Sequence, residues 1–252
     1  MKFSIITPSF NQVQFLEQTI KSVVSQKVDL EYFIMDGGST DGSVEIIKKY
    51  AKKYPFIYWE SKKDKGQVDA INKGLAKATG DVIAYLNSDD YYLPGSLNKI
   101  QNHFERNTGT KWIVGNCQVS DIKLKWTFTI KHLMPIDKIP GLIYLFNWIN
   151  QPSVFLSHDL VKNVGFFDDK YKYAFDYDYW IRCQSVGGLA CRLRKELSFF
   201  RIHNQSKGNT AFMKQFDEDF AIIKRNTRNN LVLIIHKCIS LLIKIIYRKL
   251  KQ

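Results

Sequence analysis

The sequence predicts an α/β fold whose mostly parallel central sheet is flanked by helices. Three observations predict it. Short apolar runs alternate with amphipathic stretches of helix length over about the first 90 residues. That alternation, β-α-β-α-β-α-β, is the pattern of a parallel sheet covered by crossover helices. Each apolar run also ends in polar or turn-forming residues, and in a parallel sheet those ends share one edge, where ligands collect.

In order, Lys2 to Thr7 reads as a first strand stopped by Pro8. Val13 to Gln26 reads as a helix, with Phe15, Leu16, Ile20, Val23 and Val24 near helical spacing. Glu31 to Asp36 is a second strand, followed by Gly37-Gly38-Ser39-Thr40-Asp41-Gly42. Ser43 to Tyr54 is a second helix, Phe56 to Glu60 a third strand and Gly66 to Lys77 a third helix. Val82 to Leu86 is the fourth strand, a five-residue apolar run consistent with burial on both faces. Leu93-Pro94-Gly95 turns the chain into a helix running to about Arg106. Beyond a soft boundary near residue 110, Lys111 to Gln118, Lys123 to Ile130 and Gln151 to Leu156 read as strands. Helices are expected near His158 to Val164 and around Tyr173 to Arg182. The expected organisation is a first half at 1–110, a second half at 111–206 that holds the other substrate, and a basic helical tail at 207–252.

The strand ends carry the chemistry. Asn87-Ser88-Asp89-Asp90 follows the fourth strand. Adjacent carboxylates repel unless a cation binds them, and hard oxygen ligands suit Mg²⁺ or Mn²⁺ carrying phosphates. The same four residues are also good turn chemistry. Asp36, last in its strand, is placed to accept from a base N–H or a ribose hydroxyl. Asp41 reads as a helix cap. Lys65 lies in the loop after the third strand, where it could face a diphosphate or simply be solvated. Asp176 and Asp178 lie two apart, about 200° apart on a helix, so only one can face a given crevice. Surrounding aromatics suit a general base, while early helical acids also favour the helix dipole. His203 becomes a candidate ligand only if the fold returns it to the acidic turn.

Composition bounds the rest. The chain has 252 residues with 45% hydrophobic and 24% charged side chains, ordinary for a globular domain. Four cysteines, Cys117, Cys183, Cys191 and Cys238, form no C-x-x-C pair, and a reduced compartment is expected. The N-terminal apolar run is too short for a signal peptide. Net charge is +13, and residues 221–252 hold eight Lys and Arg with no Asp or Glu, which implies an anionic partner, lipid or nucleic acid. Within Leu231 to Leu250 the polar residues Lys237, Ser240, Lys244 and Arg248 form one stripe, continued by Lys251. A central lysine costs about 2.5–3.5 kcal/mol in a spanning helix. A helix lying in the membrane interface, lysines toward anionic headgroups, is therefore expected over docking on the protein itself or a dimer partner. The expected place is the cytoplasmic face of the membrane, with no nucleic-acid partner.

Together these motifs resemble family 2 glycosyltransferases of the GT-A fold. The resemblance runs from Lys2 to about Ser206. It is carried by Ile5-Ile6-Thr7-Pro8-Ser9-Phe10-Asn11, Asp36-Gly37-Gly38-Ser39-Thr40-Asp41-Gly42, Asp64-Lys65-Gly66-Gln67-Val68-Asp69-Ala70-Ile71-Asn72-Lys73-Gly74, Asn87-Ser88-Asp89-Asp90 and Asp176-Tyr177-Asp178-Tyr179-Trp180. It implies that Thr7, Pro8, Phe10 and Asp36 hold base and ribose and that Asp89 and Asp90 hold ribose and metal. It also implies Asp176 as the catalytic base and His203 as a further metal ligand. The implied reaction is inverting transfer from a nucleoside diphosphate sugar, foremost a UDP-sugar, with Mn²⁺ or Mg²⁺, to a glycan or lipid-linked acceptor in surface-polysaccharide synthesis. Where many relatives carry Asp, Asp and Glu, this chain has Gly37, Asn87 and Phe175. Two other functional classes share parts of this pattern. A dinucleotide oxidoreductase should show G-x-G-x-x-G after strand one, where this chain has Pro8-Ser9-Phe10-Asn11-Gln12. A non-enzymatic binder of anionic polymers on a degenerate GT-A scaffold would use the net charge alone.

Overall fold

The computed structural model describes residues 1–121, 127–131, 137–203 and 212–250. Strands β1 (Lys2–Ser9), β2 (Asp29–Asp36), β3 (Ile57–Ser61) and β4 (Val82–Tyr85) alternate with helices α1 (Val13–Val24), α2 (Ser43–Lys53) and α3 (Gln67–Leu75). The four strands pair in parallel in the order β3-β2-β1-β4. After β4 come β5 (Tyr91–Tyr92), α4 (Ser96–Arg106), β6 (Trp112–Asp121) and β7 (Thr127–Ile130). Then follow α5 (Leu142–Leu145), a 3₁₀ turn at Gln151–Ser153, β8 (Val154–Ser157), α6 (His158–Val164), α7 (Phe175–Gly187) and β9 (Cys191–Ile202). Two helices end the described chain, α8 (Phe212–Asn226) and α9 (Asn230–Leu250).

One sheet carries both halves. β8 adds antiparallel to β4, then β6 to β8, then β9 parallel to β6, with β5 on the far edge and β7 beside β6. Apolar residues bury both faces. Leu16, Ile20, Ile47 and Ile100 from α1, α2 and α4 cover one face with Ile5, Ile34 and Ala84. Ile71, Leu160 and Ile181 from α3, α6 and α7 cover the other with Ile6, Phe33 and Ile83. This is the two-layer burial that made the strands read as unbroken apolar runs.

Two expectations change. Pro8 does not stop the first strand, which continues to Ser9 in register with β2. Along β1 the Ile6 carbonyl accepts from Leu86 on the β4 side, and the Ser9 carbonyl accepts from Gly37 on the β2 side. Even-numbered residues thus face β4, whose pairing with β1 ends at Tyr85. The N–H that Pro8 lacks would have pointed where no strand needs it. β5 was not expected, since two residues carry no periodicity to read. The Lys123 to Ile130 strand is seen only as Thr127–Ile130, the remainder of its span lying largely outside the described residues.

Candidate active site

The carboxyl ends of β1, β2 and β4 meet on one edge of the sheet. Thr7 is buried, its hydroxyl 2.9 Å from that of Tyr32. Pro8 is buried, and Phe10 projects with 59% of its surface exposed. Asn11, at φ 51, accepts the Thr40 N–H on its side-chain oxygen at 2.9 Å and so ties this turn to the loop after β2.

Asp36 is buried and organises that second loop. Its Oδ2 accepts from Gly38 N at 3.0 Å, Ser39 N at 2.8 Å and Ser61 Oγ at 2.7 Å, and its Oδ1 accepts from Ser39 Oγ. Asp41 accepts from Val13 N and from Ser43 N, tying α1 and α2 together. Gly37 is where a residue with a side chain would collide: a Cβ there would lie 2.9 Å from Asp64 Oδ2. The chain thus brings a carboxylate, Asp64 from the loop before α3, against the position where many relatives carry their own. Nothing in the local pattern singled out Asp64. Lys65 is exposed, its backbone N–H donating to Asp69 at 3.1 Å.

The two carboxylates after β4 have different surroundings. Asp90 is 0% exposed. Its Oδ1 accepts the Arg201 backbone N–H at 3.0 Å, linking the turn to β9. Burial, with Asp89 alongside, pushes the Asp90 carboxyl well above the ordinary carboxylate range. Asp89 is half-buried, and its Oδ2 lies 2.9 Å from His203 Nε2. β9 thus returns His203 to the acidic turn from 114 positions away in sequence. Of the adjacent pair, Asp89 is the one that reaches the surface. An amide chain braces the turn from behind: Gln67 donates to Asn87, Asn87 to Gln151, and Gln151 to the Tyr85 carbonyl. The Thr19 hydroxyl donates to the carbonyls of Ser88 and Asp90. Asn87, standing where many relatives have Asp, here serves as a donor to Gln151.

α7 separates the two later carboxylates. Asp178 is buried and ion-paired with Arg182 Nε at 2.8 Å, one helical turn on. Arg182 is itself held by the Val164 carbonyl. Asp176 is half-buried at the start of the helix, its Oδ1 accepting Tyr177 N at 2.8 Å. The ring of its neighbour Phe175 lies 6.3 Å from that of Tyr85, the last residue of β4. The Tyr85 hydroxyl is raised well above its ordinary pKa by burial first, then by Asp176 and Asp90. One buried tyrosine therefore feels both the acidic turn and Asp176.

Asp89 and His203 supply one carboxylate oxygen and one imidazole nitrogen, a donor set that fits Mn²⁺ or Mg²⁺ when substrate phosphate completes the shell. Among the described residues, no group of three or more His, Cys, Asp or Glu converges to hold a cation.

Residues 4–157 match the model of the family described as "Glycosyl transferase family 2". An uncharacterized glycosyltransferase of Mycobacterium tuberculosis is 28% identical over 193 residues, 73% of this chain and 69% of its own length. The minor teichoic acid biosynthesis protein GgaB of Bacillus subtilis is 28% identical over 174 residues, 65% of this chain but only 19% of GgaB. Among solved structures, S. aureus TarS 1–349 in complex with UDP-GlcNAc superposes with TM-score 0.71 at 19% identity, covering 88% of this chain and 65% of that one. At that identity the likeness is one of fold, the GT-A fold, and this chain spans less than two thirds of the TarS chain.

Proposed function

Since the chain belongs to glycosyl transferase family 2, we propose that it transfers a sugar from a nucleoside diphosphate sugar to an acceptor hydroxyl with inversion. The observation that carries this reading is the shared neighbour: Tyr85 at the end of β4 stands beside both Asp176 and the acidic turn. A base and a diphosphate site must sit on either side of one anomeric carbon for an in-line displacement. Asp176 takes the acceptor proton, and the acceptor oxygen forms its bond to the anomeric carbon. The bond from that carbon to the diphosphate breaks, and the nucleoside diphosphate leaves with the electron pair. Asp178 is spent on Arg182, which favours Asp176 for the role.

For the donor, the Thr7 to Phe10 turn and the loop shaped by Asp36 are assigned to base and ribose, with Lys65 reaching toward the diphosphate. Asp36 already accepts four hydrogen bonds, so its part is mainly to hold the loop. Asp89 and His203 would hold a divalent cation, with Asp90 behind them fixing the turn to β9. Such a cation, when bound, neutralises charge on the leaving diphosphate. UDP-GlcNAc bound to TarS favours a UDP-sugar donor, and the teichoic acid role named for GgaB favours a surface glycan or lipid-linked acceptor.

We also assign peripheral membrane attachment to α9, at the cytoplasmic face. No described helix is long and apolar enough to cross a membrane. The support is a row of exposed apolar side chains on α9, Leu231, Ile234, Leu241, Leu242 and Ile245.

The test of the base is Asp176→Asn. Transfer should fall by about 10³-fold or more while donor affinity stays within about twofold. Undiminished turnover in that variant, or loss of donor binding with normal turnover of bound donor, removes Asp176 from the role.

A further inference from the structure

α8 lies beyond the matched family region, and it touches the start of the helix that carries Asp176. Glu218 turns its carboxylate onto the backbone just ahead of α7. Oε1 accepts the Lys172 N–H at 3.0 Å, and Oε2 accepts those of Tyr173 at 2.7 Å and Ala174 at 2.9 Å. Ala174, the N-cap of α7, has no side chain able to cap the helix. A carboxylate delivered from another helix instead takes the N–H of the N-cap residue itself and those of the two residues before it, where the helix dipole also favours negative charge.

The next residue, Asp219, is 3% exposed, and its Oδ1 has no hydrogen-bond partner among the described residues. A buried carboxyl oxygen left so is costly and calls for a reason. Its charged and titratable surroundings are Asp176 and Tyr177 on α7, Lys244 on α9 and Glu218 on its own helix. Burial first, then Asp176 and Glu218, hold the Asp219 carboxyl well above the ordinary carboxylate range, with Lys244 opposing. Burial and these acidic neighbours favour its protonated form, because two carboxylates confined together do not readily both ionise.

We propose that Glu218 and Asp219 are positioning residues for the base: Glu218 fixes the backbone from which Asp176 projects, and Asp219 offers its carboxyl O–H to the back of Asp176. The proposal rests on the reading of Asp176 as the base. It gives α8 a part in turnover that neither donor site nor cation site requires.

Four variants of the full chain test it, each scored for kcat, donor KM and the pH dependence of kcat. Glu218→Ala should lose about tenfold or more in kcat with donor KM within about twofold, and Glu218→Gln, which keeps one acceptor oxygen, should fall between. Asp219→Asn keeps a neutral donor and should leave both kcat and the acid limb of its pH profile nearly in place. Asp219→Leu removes the donor that favours ionised Asp176. It should lower kcat about tenfold and move the acid limb to higher pH by about half a unit or more. Normal kcat in Glu218→Ala and Asp219→Leu overturns the proposal. So does an acid limb that moves to lower pH in Asp219→Asn, because that marks an ionised carboxylate at 219. Should Asp219→Leu fail to fold, the limb of the Asn variant decides alone. The two readings fail separately: an active Asp176→Asn removes the base, whereas an inactive Asp176→Asn beside unaltered Glu218 and Asp219 variants removes only the positioning role.

Discussion

Glu31 shows how a single buried charge holds this sheet together. Its carboxylate accepts from Ser4 Oγ, from the N–H groups of Thr79 and Gly80 and from the Thr79 hydroxyl, and pairs with Lys2. Burial pushes the carboxyl up, but Lys2, Ser4 and Thr79 outweigh it and hold Glu31 at about 2. A carboxyl at about 2 when folded and at its ordinary 4.5 when unfolded stabilises the fold above pH 4.5 and loses that contribution as pH falls toward 2. Glu31→Gln should therefore cost on the order of 1–2 kcal/mol at pH 7 and progressively less below pH 4.5. Urea melts at pH 7 and pH 3 check it, and an equal loss at both pH values refutes it. Asp176 and Asp178 teach the complementary lesson. Their spacing in sequence said that only one could face the site, and the i,i+4 pairing with Arg182 shows which one is occupied elsewhere.

At the scale of elements, α9 is where periodicity left most open. Its polar stripe was legible, with Lys237, Ser240 and Lys244 at helical spacing. The stripe was expected to face headgroups. Instead Ser240 is buried, Lys244 pairs with Asp217 on α8 and lies over the Phe216 ring, and His236 is buried beside the Tyr144 carbonyl. Leu231, Ile234, Cys238, Leu241 and Ile245 face outward instead, at alternating steps of three and four. Such a row could pair with a second copy. The basic tail argues against that, because residues 221–252 contain no acid to answer Lys237 across the seam. An anionic bilayer answers both the apolar row and the charge. The protein should therefore sediment with vesicles containing phosphatidylglycerol and much less with pure phosphatidylcholine, and Ile234→Asp with Leu241→Asp should abolish that difference. A variant that still binds vesicles, or a wild-type protein that is a dimer and becomes a monomer on this substitution without ever binding lipid, refutes the membrane assignment.

For the whole molecule, the prediction concerns linkage between donor and cation. Ligands that bind only the folded chain raise its melting temperature with concentration. A UDP-sugar should raise it more with Mn²⁺ present than without, and His203→Ala or Asp89→Ala should remove the Mn²⁺-dependent part while leaving a smaller donor effect. Equal shifts with and without Mn²⁺ in the wild type would sink the cation site. The pair that carries this prediction is closed by β9, which lies between β6 and β5 and delivers His203 beside the acidic turn. Asp64 against Gly37 and Glu218 against the start of α7 are of the same kind, contacts between separate segments.

Residue order alone was enough to read the α/β class, the parallel first half, most helices and the strand ends that form the candidate site. It was enough because burial on two sheet faces and one helix face writes its period directly into residue order. Three outcomes came instead from packing between distant segments: Asp89 and not Asp90 reaches the surface, His203 joins it, and α9 turns Ser240 and Lys244 toward the body of the protein. Each of those outcomes depends on which distant segment fills the space beside a side chain, and no local period encodes that.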